Sequence, residues 1–472
     1  MNKRLKDNIL IKTNFRFWLI LILVKLCCLF PESTKGQAGN FPINDSLRVV
    51  ISQNTGTEKI SAQIELALKI QENEEEALEL ANTALESATE INDRILELRA
   101  YYTFGRIYFT HNKHEASEAY YNRALKISDE IGENWYKGEI LFRMGVVDHR
   151  NGDSRQALNY ISRSIQVSRL AENYKATAAA YSMMGTIFRL SGLYDRAIEY
   201  ILKSKLNYEM ANFSEGDAWA AYLIGRIYAD LKLSEEALEY FREALEKYKL
   251  MAAKDGNFNG VTICYEQIGM IYLESGKLEE ARQNINNVLD IHKQSNSDYG
   301  ISNAYKNLGK IEYYSGNFDK AESYLNDALV IKERINDLLS LPSIYEYKGL
   351  CKIEEGNTIE GIKDIEQALE LALSNDQVKM QLEIYSNLED VYAELNDFEK
   401  VIFYQNKQIE TQDIILSDGA NVKIDQLQAI YELEEKNNQI ASLEKQNEIN
   451  RIRLKQQRTY QILIITGFLF VL

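Results

Sequence analysis

The sequence predicts an all-α fold, a right-handed superhelix of about nine antiparallel helix hairpins stacked one on the next, and three observations predict it. First, the chain repeats itself. The stretches GRIYFTHNKHEASEAYYNRAL, GTIFRLSGLYDRAIEYILKS, GRIYADLKLSEEALEYFREAL, GMIYLESGKLEEARQNINNVL and GKIEYYSGNFDKAESYLNDAL begin at Gly105, Gly185, Gly225, Gly269 and Gly309. Gly145 and Gly349 complete the series, so the step is 40 residues throughout except for 44 between Gly225 and Gly269. Second, apolar residues flank each of these glycines at helical spacing. Third, only three prolines occur in 472 residues, and Pro342 alone lies within the repeats, so long helices meet almost no breakers.

Each repeat reads as two helices. With the glycine as position 0, a large residue stands at −4 (Tyr101, Leu141, Tyr181, Tyr265, Tyr305, Tyr345, Tyr385) and an apolar one at +2 (Ile107, Val147, Ile187, Ile227, Ile271, Ile311, Val391). These make one face of a first helix. At +7 comes Gly or Asn (Asn112, Gly152, Gly192, Gly276, Gly316, Gly356, Asn396), where the chain can turn through positive φ and the helix ends. A small residue at +12 (Ala77, Ser117, Ala157, Ala197, Ala237, Ala281, Ala321, Gly361) and a bulky one at +16 (Tyr121, Ile161, Ile201, Phe241, Ile285, Leu325, Ile365) then mark a second helix. The bulky residue is expected to lie against the glycine of the first. One hairpin cannot bury both its faces, so successive hairpins must stack to make a continuous core. Glu65 and Glu389 occupy the glycine register at the two ends, and Val401 replaces the small residue of the last unit, which marks both as capping repeats.

Residues 1–38 read as a signal peptide or N-terminal anchor, because basic residues precede an apolar run from Phe17 to Phe30 and the small-x-small site Gly36-Gln37-Ala38 follows. Residues 39–56 are expected to be a linker, and 57–416 the repeat array. Beyond Ser417-Asp418-Gly419, residues 422–458 contain no Gly or Pro. Leu427, Ile430, Leu433, Ile440, Leu443 and Ile449 give them a partial apolar seam, as in a parallel coiled-coil dimer or a helix docked on the last repeat. Residues 460–472 are uncharged and apolar, which is expected of the start of a transmembrane helix.

The repeat resembles the tetratricopeptide repeat over about Glu58 to Leu416, carried by the glycines and by the −4, +2, +12 and +16 residues just given. That family's usual period is about 34. The longer period here resembles variants in bacterial regulatory proteins and in kinesin light chains. The string YELEEKNNQIASLEKQNEINRIRLKQQR ahead of an apolar run resembles the connector of membrane-bound bacterial sensors in which an exported repeat domain precedes a histidine kinase or a DNA-binding regulator. The resemblance implies a protein- or peptide-binding sensor or scaffold of a membrane-bound signalling protein, membrane-anchored with its repeats in the periplasm. The alternatives are a stand-alone membrane-associated scaffold without signalling output, and repeats on the cytoplasmic face.

In such arrays the first helices line a concave groove, so positions −3, +1 and +4 are expected to contact the ligand. In repeats two to five the candidates are Tyr102, Arg106, Phe109, Phe142, His149, Arg189, Tyr222 and Arg226, with Trp219 nearby. Aromatics and arginines dominate binding hot spots, and a guanidinium grips a carboxylate with two parallel hydrogen bonds. A ligand with acidic groups is expected; the competing reading pairs these arginines with acids on neighbouring helices.

Other chemistries find little support. A net charge of −16 argues against a nucleic-acid surface. His111 and His114 fall at the inter-helix turn with no Cys or carboxylate to complete a zinc set, and no phosphate loop or nucleophile elbow appears. No cofactor and no catalytic site are expected. Cys264 and Cys351 lie in different repeats and are expected to be buried thiols.

Overall fold

The computed structural model describes residues 43–415, 430, 446 and 449–459. Nine hairpins follow a leading helix, α1 (Ile43–Gln53), which occupies most of the stretch expected to be a linker. The first helices of the hairpins are α2 (Gly56–Lys69), α4 (Arg94–Thr110), α6 (Asn134–Arg150), α8 (Tyr174–Leu190) and α10 (Ser214–Asp230), continuing with α12 (Asn259–Glu274), α14 (Asp298–Tyr314), α16 (Leu341–Glu354) and α18 (Val378–Glu394). Their partners are α3 (Glu74–Glu90), α5 (His114–Ile131), α7 (Ser154–Leu170), α9 (Tyr194–Met210), α11 (Ser234–Asp255), α13 (Leu278–Gln294), α15 (Phe318–Arg334), α17 (Thr358–Ser374) and α19 (398–415). No strand occurs among the described residues.

Local chemistry sets the helix ends. The Asp93 carboxylate accepts hydrogen bonds from the Ile95 and Leu96 amides at 3.1 and 3.0 Å and so starts α4, and Asn173 does the same for α8 through the Ala176 amide at 3.0 Å. At +7 every predicted turn residue has positive φ, from 56° at Asn112 to 88° at Gly356. After such a turn the next amide reaches back to close the helix, as Lys113 N does to the Tyr108 carbonyl at 2.9 Å. The second helices end in the same conformation, at Asn92, Glu172, Asn212, Asn296, Asn336 and Asp376 among others. Pro342 interrupts nothing. It sits in the first turn of α16, where a missing amide proton costs no helical bond, after a single 3-10 turn at Leu338–Ser340.

Hairpins interlock as the register predicts. A β-carbon on Gly145 would come within 2.7 Å of Ile161, and one on Gly185 within 2.5 Å of Ile201, so the bare backbone is what lets the second helix approach. The small +12 residues from Ala77 to Ala321 are sealed. Ser117, the exception to alanine, donates its hydroxyl to the Gly105 carbonyl at 2.8 Å. Apolar clusters then run from hairpin to hairpin, the largest spanning Ala157 to Ile271. Ile430, from the seam of 422–458, is buried in that same cluster, and residues 449–459 are helical and exposed. The rest of the expected coiled coil lies outside the described residues.

Two expectations are corrected. No helix among the described residues is long and apolar enough to cross a membrane. The first and second helices of the hairpins carry a charged or polar face beside the buried one, whereas a span needs about 20 apolar residues in a row. The expected start of a transmembrane helix is therefore withdrawn from the fold, and the expected placement of the repeats at a membrane, on either face, goes with it. The leader 1–38 and the tail 460–472, on which both rested, lie outside the described residues.

Candidate functional site

Successive first helices touch one another, α2 with α4, α6 with α8, α8 with α10, α10 with α12, α14 with α16 and α16 with α18, and among the described residues no two second helices make comparable contact. The array therefore curves around its first helices, which line its inner side. At 3.6 residues per turn, positions −6, −3, −2, +1, +4 and +5 share one arc of about 120°. All the predicted groove residues lie on that arc, and so do several that sequence reasoning passed over.

Arg106 and Arg226 have no carboxylate within ion-pair distance among the described residues. The Arg106 guanidinium reaches only the Gln71 amide oxygen at 3.5 Å, and Arg226 donates to the Tyr222 hydroxyl at 3.2 Å. Arg189 behaves differently: it is paired with Asp230 of the next repeat, so for this residue the competing reading holds. Tyr102 and Tyr222 are mostly core. Tyr102 donates to Glu139 at 3.0 Å and packs beside Tyr121 and Tyr136, while Tyr222 packs against Phe241. Trp219 stacks on Tyr222 with ring centres 5.1 Å apart and keeps 37% of its surface exposed.

Phe109 and Phe142 are half-buried beneath guanidinium groups, Arg150 at 4.3 Å from the first ring and Arg143 at 5.2 Å from the second. Burial, with Arg150 adding to it, pushes the His149 imidazole down and keeps it neutral, and its Nδ1 has no hydrogen-bond partner. The structure thus gathers Tyr102 and Arg143 around Tyr121, with Phe142 beside Arg143, and separately Trp219, Tyr222 and Arg226. It does not join the nine candidates into one cluster.

Arg143 is the residue missed in this region. It makes no ion pair, its Nε is buried without a partner, and Tyr102, Tyr121 and Glu139 surround it. At −2 it lies on the inner arc, but the reading by −3, +1 and +4 named its neighbour Phe142 instead. A second missed set lies toward the other end, where Lys310 of α14 faces Glu346 of α16 and Lys306 lies between Lys310 and Glu266. Burial, then Lys310 and Lys332, pushes the Lys306 ammonium down to about 8, and burial pushes the Glu346 carboxyl up to about 7. Asn387 donates to Glu346 at 2.8 Å and Asn307 to Glu266 at 3.1 Å, the same −2 to −3 bond between neighbouring first helices.

The two histidines at the first turn go separate ways, His111 to the Gln71 carbonyl at 2.9 Å and His114 to the Asn151 side chain at 2.6 Å. Among the described residues no three potential ligands meet to hold a metal ion. Cys264 and Cys351 are buried free thiols, each pushed up to about 12 by burial.

The tetratricopeptide repeat family's model matches residues 64–130, 177–249 and 262–334 of the chain. No curated protein matches it. Among solved structures it is similar to the quorum sensor NprR from B. thuringiensis, at 13% identity over 70% of this chain and 92% of that one, with a TM-score of 0.53. A signal-transduction ATPase with a tetratricopeptide repeat sensor, from Pyrococcus horikoshii, shares 15% identity over 84% of this chain and 68% of its own, with a TM-score of 0.52. Aspartyl phosphate phosphatase F from Bacillus subtilis shares 14% identity over 76% and 95%, with a TM-score of 0.50. At these identities the likeness is one of fold.

Proposed function

We propose that this array of tetratricopeptide repeats is a sensor or scaffold module that binds a protein or peptide along its inner side, with acidic groups of the ligand seated on Arg106, Arg143 and Arg226. The observation that carries the reading is that, among the described residues, these three guanidinium groups make no ion pair, in a chain whose acids outnumber its bases 70 to 54. A surplus of carboxylates would pair such groups if structure were their only purpose, as it does Arg189. Phe142 and Trp219 add exposed or half-exposed aromatic surface beside them, the residue mix in which binding energy concentrates. Two structural relatives are described as a quorum sensor and as bearing a repeat sensor, which fits a sensing role.

Reversing Arg106 and Arg226 together to Glu is expected to weaken binding of a fluorescein-labelled Glu/Tyr/Ser peptide at least tenfold, measured by fluorescence anisotropy. Both side chains are only partly buried and unpaired, so the melting temperature should stay within about 3 °C of the parent. Unchanged affinity would remove the basis for the reading.

A further inference from the structure

The one break in the 40-residue period leaves a feature that no other repeat has. The step of 44 between Gly225 and Gly269 appears as an extra turn at the end of α11, which runs 22 residues where the neighbouring second helices α9 and α13 run 17. The helix stops at Gly256, at φ 74°, and Asp255 accepts from the Asn257 amide at 2.9 Å to shape the link into α12. The added turn leads into α12, where the bare backbone of Gly260 lets the Tyr248 ring of α11 lie against it. A pocket of about 260 Å³ opens between the three helices. That is below the size of a drug-sized site and suits a single side chain.

Tyr248, Met251 and Ile263 line the pocket with apolar surface, and Trp219 lines it with an indole whose other contact is Tyr222. The charges at the pocket have one sign. Glu215 and Asp255 are its only ionisable acids, neither makes an ion pair among the described residues, and no Lys, Arg or His lines it. Burial, with Cys264 and Glu215 adding to it, pushes the Tyr248 hydroxyl up, so the phenol stays neutral there.

We propose that this pocket takes a cationic side chain, a guanidinium or ammonium group, with its alkyl stem on Met251 and Ile263, its charge beside Trp219 and its hydrogen bonds to Glu215 and Asp255. An aromatic face attracts a cation where it repels an anion, and two free carboxylates satisfy a guanidinium fork. Trp219 sits on the inner arc, so the pocket opens at the edge of the binding surface and would select a ligand carrying a basic residue near its acidic ones. That last step rests on the peptide-binding reading above; the pocket's preference for a cation does not.

The test titrates the full chain, labelled with 5-fluorotryptophan, with N-acetyl-arginine methylamide and with its uncharged citrulline counterpart, following the fluorine resonance assigned to Trp219 by Trp219→Phe. The resonance is expected to shift saturably with the arginine derivative, binding about three- to thirtyfold tighter than citrulline, the range expected of a cation over an indole. Glu215→Gln with Asp255→Asn should bring the two ligands to within twofold of each other. No shift at the Trp219 resonance, or a preference below threefold in the unmutated chain, overturns the proposal. Neither result bears on whether an acidic peptide binds at Arg106 and Arg226, which the anisotropy measurement decides.

Discussion

Glu312 and Glu346 are both sealed from solvent, at 0% and 1% exposure, and burial has opposite outcomes at the two. Burial opposes ionisation of Glu312, yet hydrogen bonds from Lys320 at 2.6 Å, Asn317 at 2.8 Å and Arg282 at 2.8 Å outweigh it, and the carboxyl is held below its ordinary value. Glu346 receives one such bond, from Asn387, so desolvation wins and its carboxyl rises from 4.5 to about 7. A raised value means the folded chain holds this proton more tightly than the unfolded one. The stability it contributes is complete below pH 4.5 and is lost as pH rises through about 7. Glu346→Gln, which keeps an acceptor for Asn387 and removes the titration, should leave stability at pH 5 unchanged and raise it by about 1–2 kcal/mol at pH 8. Urea unfolding at the two pH values measures this, and an equal effect at both would refute it.

The hairpin is the element in which sequence and packing meet most directly. Gly185 lies where a β-carbon would stand 2.5 Å from Ile201 and 3.0 Å from the Ala197 carbonyl; the side chain can shift, the backbone of a packed helix much less. Alanine in place of glycine favours a helix by about 1 kcal/mol, so an unpacked helix would be stabilised. Here the clash should prevail, and Gly185→Ala is expected to lower stability by about 1–3 kcal/mol by forcing α8 and α9 apart. Thermal unfolding of that single variant decides which effect is larger, and a stabilised protein would mean that the glycine register is not set by close approach. The four-residue insertion adds a turn to α11 instead, and residues of that turn help line the pocket beside Trp219.

At the scale of the whole molecule, among the described helices contacts link each hairpin only to those next to it, so cohesion is a sum over neighbours rather than one shared core. The largest apolar cluster, Ala157 to Ile271 with Ile430 added from far along the chain, lies in the middle repeats, and smaller clusters lie toward both ends. Native-state hydrogen exchange is therefore expected to show the slowest amides in α7 to α11 and progressively faster ones toward α2 and α18. Protection that is uniform along the array would show that it unfolds as a single unit. The arginine-bearing stretch of the inner side lies partly on the stable middle and partly on the weaker first hairpins, so a ligand seated on Arg106, Arg143 and Arg226 should slow exchange most in α4.

The sequence by itself determined the repeat, its period, the two helices of each unit, the +7 turns and the partner of each glycine, because these depend on spacing along one helix and across one short turn. It also set which positions of a first helix share one face, since a helix of 3.6 residues per turn carries its own geometry. Pairing across repeats was decided by the tertiary structure alone: that Arg189 meets Asp230 while Arg106 and Arg226 meet no acid among the described residues, that the Arg143 Nε is buried without a partner, that Glu346 lacks the donors Glu312 has, and that Ile430 joins the middle core. Those outcomes turn on how far each first helix is rotated and displaced against the next, on the order of an ångström or a few degrees. No pattern of residue types along the chain records a displacement of that size.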